Sequence, residues 1–269
     1  MLFTLFGDYV YPQGREIRLA ALVAIGKVLG MSETAVRSAV ARLAREGWIV
    51  AQRRGRSSFY RLSPAGRSLI EEGTRRIYRP NGGAWDGSWC LLTYSIPETQ
   101  RALRDRLRKQ LAWLGFGQLG AGVYLAARDR SLEAARLAGR VGTENFARTF
   151  LAKSAGRTSD RQLVAVCWDL QRIARAYRSF IARYARRYAN DRLRARRHAL
   201  ADVDAFVTRF MLTHDFRRFP FIDPNLPDAL LPKRWAGKAA RKLFERYHAM
   251  LTDGALRFFA SVMRSSSSG

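Results

Sequence analysis

The segment 32–60, SETAVRSAVARLAREGWIVAQRRGRSSFY, constrains this chain more than any other stretch. Ser32 is a natural N-cap before a run of good helix formers, and Gly47 is a stop of the kind that ends helices. Between them lies a helix of about three turns. Val36, Val40 and Leu43 recur at i, i+4 and i+7 with Ala39 beside them, so one stripe is apolar and faces a core. The opposite face carries Thr34, Arg37, Ser38 and Ala41, with Arg42 and Arg45 toward its C-terminal end, and nothing bulky covers it. A helix that enters a major groove needs short side chains, so that its backbone can approach, and arginines to meet guanine edges or phosphates. After Gly47, residues 48–52 are β-prone, Arg53-Arg54-Gly55-Arg56 is a basic turn, and 57–62 returns as a second strand. A charge run alone is usually a solvated face. The order here is an apolar helix, a helix with a stripped outer face, then a basic hairpin. It predicts a winged helix-turn-helix that contacts DNA through Ser32, Thr34, Arg37, Ser38, Arg42, Arg45, Arg53, Arg54, Arg56 and Ser57.

Composition sharpens the expected partner. Lys and Arg number 48 against 22 Asp and Glu, a formal charge of +26, with arginine well ahead of lysine. Such an imbalance is costly through self-repulsion, and a polyanionic partner relieves it. Nucleic acid comes first among such partners and an anionic membrane surface second; a GC-rich genome is a further source of arginine outside the N-terminal region. Cys90 and Cys167 each sit in an apolar run with no cysteine nearby, so they read as buried small side chains and not as a metal site or disulfide framework. The opening MLFTLFGDYV lacks the features of a signal peptide, and no apolar run reaches spanning length. A cytoplasmic location without a membrane partner is expected.

At 269 residues, 48% of them hydrophobic, the chain has room for two or three domains. Residues 2–11 predict a short helix ended by Pro12-Gln13-Gly14, with Leu2, Leu5, Phe6 and Tyr9 on one face. Residues 16–30 predict the supporting helix of the motif, and 63–79 another with Ser63 as cap and Pro64 at its first position. Pro80-Asn81-Gly82-Gly83 is the clearest linker. Beyond it come a β run over 88–96, an amphipathic helix over 98–114 with Leu103, Leu107, Leu111 and Leu114 on one side, FGQLG, the β run GVYLAARD, a helix over 131–139 and an apolar piece near 146–152. That βαββαβ order is the ferredoxin-like pattern. From about 159 a helix carries Leu163, Val166, Leu170, Ile173, Tyr177, Phe180, Tyr184 and Tyr188 at helical spacing, with arginines in other directions. The stripe reads as core, and a nucleic-acid platform is the alternative. A helix over 200–216, an irregular proline-rich segment and a helix over 236–262 follow; the SSSSG tail reads as disordered or as a cloning remnant. The expected class is α+β, in three parts: 1–80, a winged helix; 84–155, ferredoxin-like; and 156–264, helical.

Several separated blocks, occurring in order, resemble the PaaX family of bacterial transcriptional repressors. They are LFTLFGDYV, SETAVRSAVARLAREGW, RRGRSSFYRLSPAGR, WDGSWCLLTYSIPE with RALRDRLRKQLAWLGFG, and THDFRRFPFIDPNLPDALLPKRW. The resemblance covers nearly the whole chain. It implies the same three-part architecture, with a central domain similar to that of small CRISPR-associated endonucleases. It also implies a homodimer that binds near-palindromic operator DNA and is released by an acyl-CoA effector, an aryl-CoA thioester such as phenylacetyl-CoA, as regulatory ligand. The DNA-binding role falls on the residues already singled out. The effector role falls on the HDFRRFP block, on His214, Arg217 and Arg218, whose chemistry suits a phosphate-rich ligand.

Two other functions are set against this one. The nuclease-like central domain raises metal-dependent phosphodiester hydrolysis, for which similar enzymes carry an aspartate at the end of the first strand. That position here is Tyr94-Ser95-Ile96, and Ser95 is a poor ligand for a hard metal. A hydrolase finds neither a GxSxG elbow nor metal-type spacing among His198, His214 and His248, so neither catalytic nor metal-binding residues are assigned and no enzyme is expected. The high charge alone also suits a non-specific architectural DNA binder, which differs from a repressor in showing little preference between operator and random duplex.

Overall fold

The structure, a computed structural model, describes residues 1–14, 16–78 and 84–266. The proposed linker at 80–83 and the last three residues of the tail lie outside the described residues. The chain combines helices with two small antiparallel sheets and ends in a helical region. It divides into two units that interleave in sequence. One gathers Met1–Arg79, Phe180–Arg217 and Ala239–Gly269, and the other Pro80–Ser179 and Arg218–Lys238.

The first unit begins with a helical run. It comprises α1 (Leu2–Leu5), a wider π turn over Phe6–Val10 and a tight 3-10 turn over Tyr11–Gln13, closed by Gly14 at φ +60°. Leu2, Leu5, Phe6 and Tyr9 are buried, as their shared face predicts. The supporting helix differs from expectation at its start. Ile17–Arg18 forms a strand, β1, and the helix α2 spans Leu19–Val28. The reason is tertiary: Ile17 and Arg18 pair with Tyr60 and Phe59 of the second hairpin strand, which outweighs the helix propensity of two residues. Gly30 at φ +76° then turns the chain. The Met31 amide donates to the Gly26 carbonyl at 2.8 Å, the six-to-one bond of a glycine C-cap. Helix α3 (Glu33–Arg45), strands β2 (Ile49–Arg54) and β3 (Ser57–Leu62), and helix α4 (Pro64–Tyr78) follow. The sheet order is β1-β3-β2.

One cluster of buried side chains fills this unit. Val36, Val40 and Leu43 of α3 and Leu22 and Ile25 of α2 belong to it. So do Phe206 and Phe210 of α9 (Asp202–Phe216) and Ala255 and Phe259 of α10 (Ala236–Ser265). The ring of Tyr9 lies 4.9 Å from that of Phe206 and 5.4 Å from that of Phe259. Helix α9 is buried over most of its circumference, including the polar Thr208, Arg209 and Thr213. Helix α10 runs three residues past the predicted end, to Ser265.

The second unit keeps the predicted βαββαβ order. Its elements are β4 (Trp89–Tyr94), α5 (Arg101–Trp113), β5 (Gly117–Gly120), β6 (Val123–Ala126), α6 (Ser131–Val141) and β7 (Ala147–Ala152). The strands pair antiparallel in the order β5-β6-β4-β7. Cys90, Leu92, Tyr124 and Ala126 on one face of the sheet share a core with Leu107 and Leu111 of α5 and Leu137 of α6. The residues between them point to the other face, where the Trp89 indole donates to Asp160 at 2.8 Å and its ring stacks 6.3 Å from Trp168.

That stacking explains a second departure. The single helix expected from 159 is two, α7 (Asp160–Cys167) and α8 (Leu170–Arg196), parted at Trp168, whose backbone is extended at φ −139°, ψ 134°. The break takes Val166 off the stripe, leaving it 62% exposed, while Ile173, Tyr177, Phe180 and Tyr184 remain buried as core. Cys167 is half-buried and not fully enclosed.

A polar cluster sits inside the first unit. The Tyr78 hydroxyl donates to Asp8 Oδ1 at 3.1 Å and lies 3.2 Å from His248 Nε2, while Arg209 Nη1 is 3.8 Å from Asp8 Oδ2 and its guanidinium stands 4.8 Å over the Tyr9 ring. Burial would raise the Asp8 carboxyl, but the neighbouring His248, 3.9 Å away, and the charge of Arg209 outweigh it and hold Asp8 below the ordinary carboxylate value. Burial pushes His248 below the ordinary histidine value, and it does the same to His214.

An added Cβ at Gly26 would collide with the Val36 side chain, whereas nothing lies within 4 Å of one at Gly73 in α4. Gly26→Val is therefore expected to lose about 1–3 kcal/mol in denaturant unfolding through overpacking. Gly73→Ala should gain about 0.5–1 kcal/mol from helix propensity. For pH, the unfolded chain takes up protons on His214 and His248 before the folded one does. Stability should be full above the ordinary histidine pKa of 6.5 and fall as pH drops below it toward the lowered folded values. Melting temperatures from pH 7.5 to 5 test this, and His248→Asn should flatten the decline.

Candidate nucleic-acid interface

Local chemistry sets α3 apart as a presented helix. The Ser32 hydroxyl accepts from the Ala35 amide at 3.2 Å and caps its start. At the other end Gly47 takes φ +76°, and the Trp48 amide donates to the Leu43 carbonyl at 2.9 Å. With Val36, Val40 and Leu43 turned into the core, Thr34, Arg37, Ser38, Ala41, Arg42 and Arg45 are all exposed. Arg37 donates to Glu33 at 2.7 Å, one turn earlier on the same surface.

The hairpin that follows is closed by two residues, Gly55 and Arg56, between the paired Arg54 and Ser57. Gly55 at φ +57° supplies the positive dihedral that a two-residue turn requires at its first central position. Arg53 and Arg54 thus end β2 rather than open the turn. The arginines divide in role. Arg54 is bound to Glu16 by both terminal guanidinium nitrogens, donates to Gln52 at 2.8 Å and stacks 4.9 Å over Phe59, so it braces the hairpin beside its turn. Arg53 and Arg56 are exposed near the tip, Arg53 only reaching back to the Gly55 carbonyl at 3.4 Å. Ser57 is half-buried and accepts a hydrogen bond from Arg18.

Sequence reasoning missed Glu16 and Arg18, because their contacts depend on β1 lying against β3. Arg18 ties the hairpin at Ser57 and also donates to the Ser266 carbonyl. Ser63 does double duty, capping α4 through the Gly66 amide at 3.0 Å and donating to the Gly47 carbonyl at 2.6 Å, which joins the end of α3 to the end of the hairpin.

The HDFRRFP block is not gathered at one place. His214 Nδ1 lies 3.0 Å from Thr4 Oγ1, and Arg217 donates to the same oxygen at 2.8 Å. Both residues belong to the first unit, whereas Arg218 belongs to the second and stands 5.3 Å over the Phe219 ring. Asp215 points elsewhere, accepting from Arg183 at 2.6 Å and Tyr184 at 2.7 Å. Burial pushes the Cys90 thiol up and the Cys167 thiol up to about 11, so both are protonated near neutral pH. Among the described residues no group of three or more His, Cys, Asp or Glu is placed to hold a metal ion, and no helix is long and apolar enough to cross a membrane.

Known proteins match along nearly the whole chain. Residues 1–66 match the description PaaX-like protein, 82–164 the PaaX protein central Cas2-like domain, and 168–261 the PaaX-like protein C-terminal domain. The chain is 34% identical over 261 residues to the transcriptional repressor PaaX of Escherichia coli (strain K12), covering 96% of this chain and 81% of that one. Its fold is similar to that of the uncharacterized protein Rv0674 from Mycobacterium tuberculosis, with a TM-score of 0.61, 22% identity and 94% of each chain covered. With three domain descriptions matched in order and a relative 34% identical over 96% of this chain, the chain belongs to the PaaX family.

Proposed function

We propose that this protein is a transcriptional repressor that binds operator DNA as a homodimer and releases it when an acyl-CoA thioester binds. The observation that carries the reading is the outer face of α3, where Thr34, Arg37, Ser38 and Arg42 are exposed beside a hairpin with Arg53 and Arg56 near its tip. The similarity to a repressor from Escherichia coli supports it, and the net charge of +26 suits a polyanionic partner.

In this reading residues 1–80 act as a winged helix-turn-helix. Arg37 and the short side chains Thr34 and Ser38 read base edges in the major groove. Arg42, Arg45, Arg53 and Arg56 hold phosphates, and Arg54 keeps the wing in shape. Ser32 and Ser57 flank this surface, each with its hydroxyl accepting a hydrogen bond within the protein. The Arg37–Glu33 pair is exposed, so exchanging it for a guanine costs little. Residues 84–155 form a ferredoxin-like domain, supported by the strand order, and 156–264 a helical domain for effector response and dimerisation. Two copies would set their α3 helices in successive major grooves about one helical turn apart, which matches a near-palindromic operator. The effector acts only through its different affinity for the binding and non-binding conformations. The protein works in the cytoplasm without catalysis; the similarity to a repressor favours this over a nuclease role for the central domain.

Duplexes selected by the protein from a random library provide the test. Arg37→Ala should lose about 1–3 kcal/mol of preference for the selected sequence at one base pair while binding random duplex nearly as before. Arg56→Ala should weaken both duplexes alike and lower the salt slope by about one. Equal losses on both duplexes for Arg37→Ala would remove its base-reading role.

A further inference from the structure

A cavity of about 920 Å³ in the second unit lies among α5, the start of β5, the Trp168 bend, the start of α8 and the segment 218–224. Its walls separate two kinds of chemistry. Arg108 and Lys109 reach it from α5, Arg172 from the first turn of α8, and Arg218 from the segment after α9. All four are exposed side chains at the opening. Two carboxylates line the same cavity, Asp105 at 4.0 Å from Arg108 and Asp169, which accepts from the Arg172 backbone amide at 2.8 Å, so the cations outnumber them four to two. Four cations around one opening repel one another unless an anion sits between them.

The other walls are apolar. Phe116, Tyr124, Trp168 and Ile173 line the cavity, and the Phe221 ring, 58% exposed, packs 4.5 Å from Trp113 at its edge. Glycine shapes this wall: a Cβ at Gly117 would collide with Trp168 and Cys167, so the residue lets β5 run directly against the bend. A pocket of this size, with an aromatic floor and a few charged groups on its rim, fits a small organic ligand with an apolar end and an anionic end. The paired phosphates of a nucleotide-like group would match the cationic rim, and a flat acyl group the aromatic floor.

We propose that this cavity is the effector site, with Arg108, Lys109, Arg172 and Arg218 holding the phosphates of an acyl-CoA thioester and Phe116, Tyr124 and Trp168 enclosing its acyl group. The proposal rests on the reading of the protein as an acyl-CoA-responsive repressor and adds the place and the residues. Of the HDFRRFP block, it assigns ligand contact to Arg218 alone. His214 and Arg217 keep the structural role of holding Thr4.

Binding to the full-length protein is measured by titrating phenylacetyl-CoA against intrinsic tryptophan fluorescence, to which Trp168 contributes from the cavity wall. Free CoA and phenylacetate serve as competitors. Lys109→Glu and Arg172→Glu reverse charges at exposed positions, and Arg175→Glu, exposed on α8 but outside the cavity, is the control. Each cavity variant should weaken phenylacetyl-CoA binding about tenfold or more, with the control changed by about twofold at most and melting temperatures unaltered. Free CoA should compete less well than the thioester, and equal competition would overturn the assignment of the acyl group to the aromatic floor. If the wild type binds phenylacetyl-CoA and both variants bind it equally, the cavity is not the site while the effector reading stands. If the wild type binds neither phenylacetyl-CoA nor benzoyl-CoA nor acetyl-CoA, the effector reading itself fails. If the variants lose selected-duplex affinity in the absence of ligand, the four cations form a DNA surface and the proposal is overturned.

Discussion

The burial of the Tyr9 ring against Phe206 and Phe259 is the contact on which the first unit depends. A helix pair of this length has too little apolar surface of its own to form a deep core. Here α2 and α3 share one with the N-terminal helical run, α9 and α10, so the stripe of Val36, Val40 and Leu43 has a fixed floor. A fixed floor gives α3 a fixed outward face. The same core encloses Asp8, Arg209, Tyr78 and His248, whose charges and hydrogen bonds tie α9, α10, α4 and the N-terminal run to one arrangement.

Electrostatics then separates arginines that hold the protein together from those left for a partner. Arg183 pairs with Asp215, Arg194 with Asp191 and Asp204, Arg257 with Asp202, and Arg54 with Glu16. These pairs commit five of the 22 acidic residues to internal contacts. What remains is uneven in its placement: Arg42, Arg45, Arg53 and Arg56 around α3 and the hairpin, and Lys109, Arg172 and Arg218 at the cavity of the second unit. A surplus of positive charge confined to such places is consistent with anionic partners of more than one kind.

Local signals were legible wherever one residue's chemistry decides the outcome. Ser32 caps α3, Gly47 ends it, Ser63 and Pro64 start α4, and the leucines of α5 point inward, all as spacing and capping rules require. Misreadings came where a distant partner overrides local preference. Ile17–Arg18 leaves the helix that local propensity assigns it because β3 offers it an edge, and Trp168 breaks an otherwise continuous helical period because Trp89 offers it a stacking face. Within the HDFRRFP block the contacts likewise depend on distant chain: Arg217 turns to Thr4, while its neighbour Arg218 stands over Phe219.

From its order of residues alone, this protein was bound to carry a capped helix with a bare outer face, a basic hairpin after it, and a βαββαβ unit beyond a glycine-rich stretch. Those outcomes rest on periodicity, caps and turn dihedrals, which act over a few residues. Only the tertiary structure decided that the C-terminal helices share a core with the N-terminal segment and that Arg54 braces while Arg56 is free to reach. It also decided that four cations from three separated segments surround one cavity. Such arrangements arise from contacts between residues far apart in the chain, and no local pattern records which distant side chain will arrive.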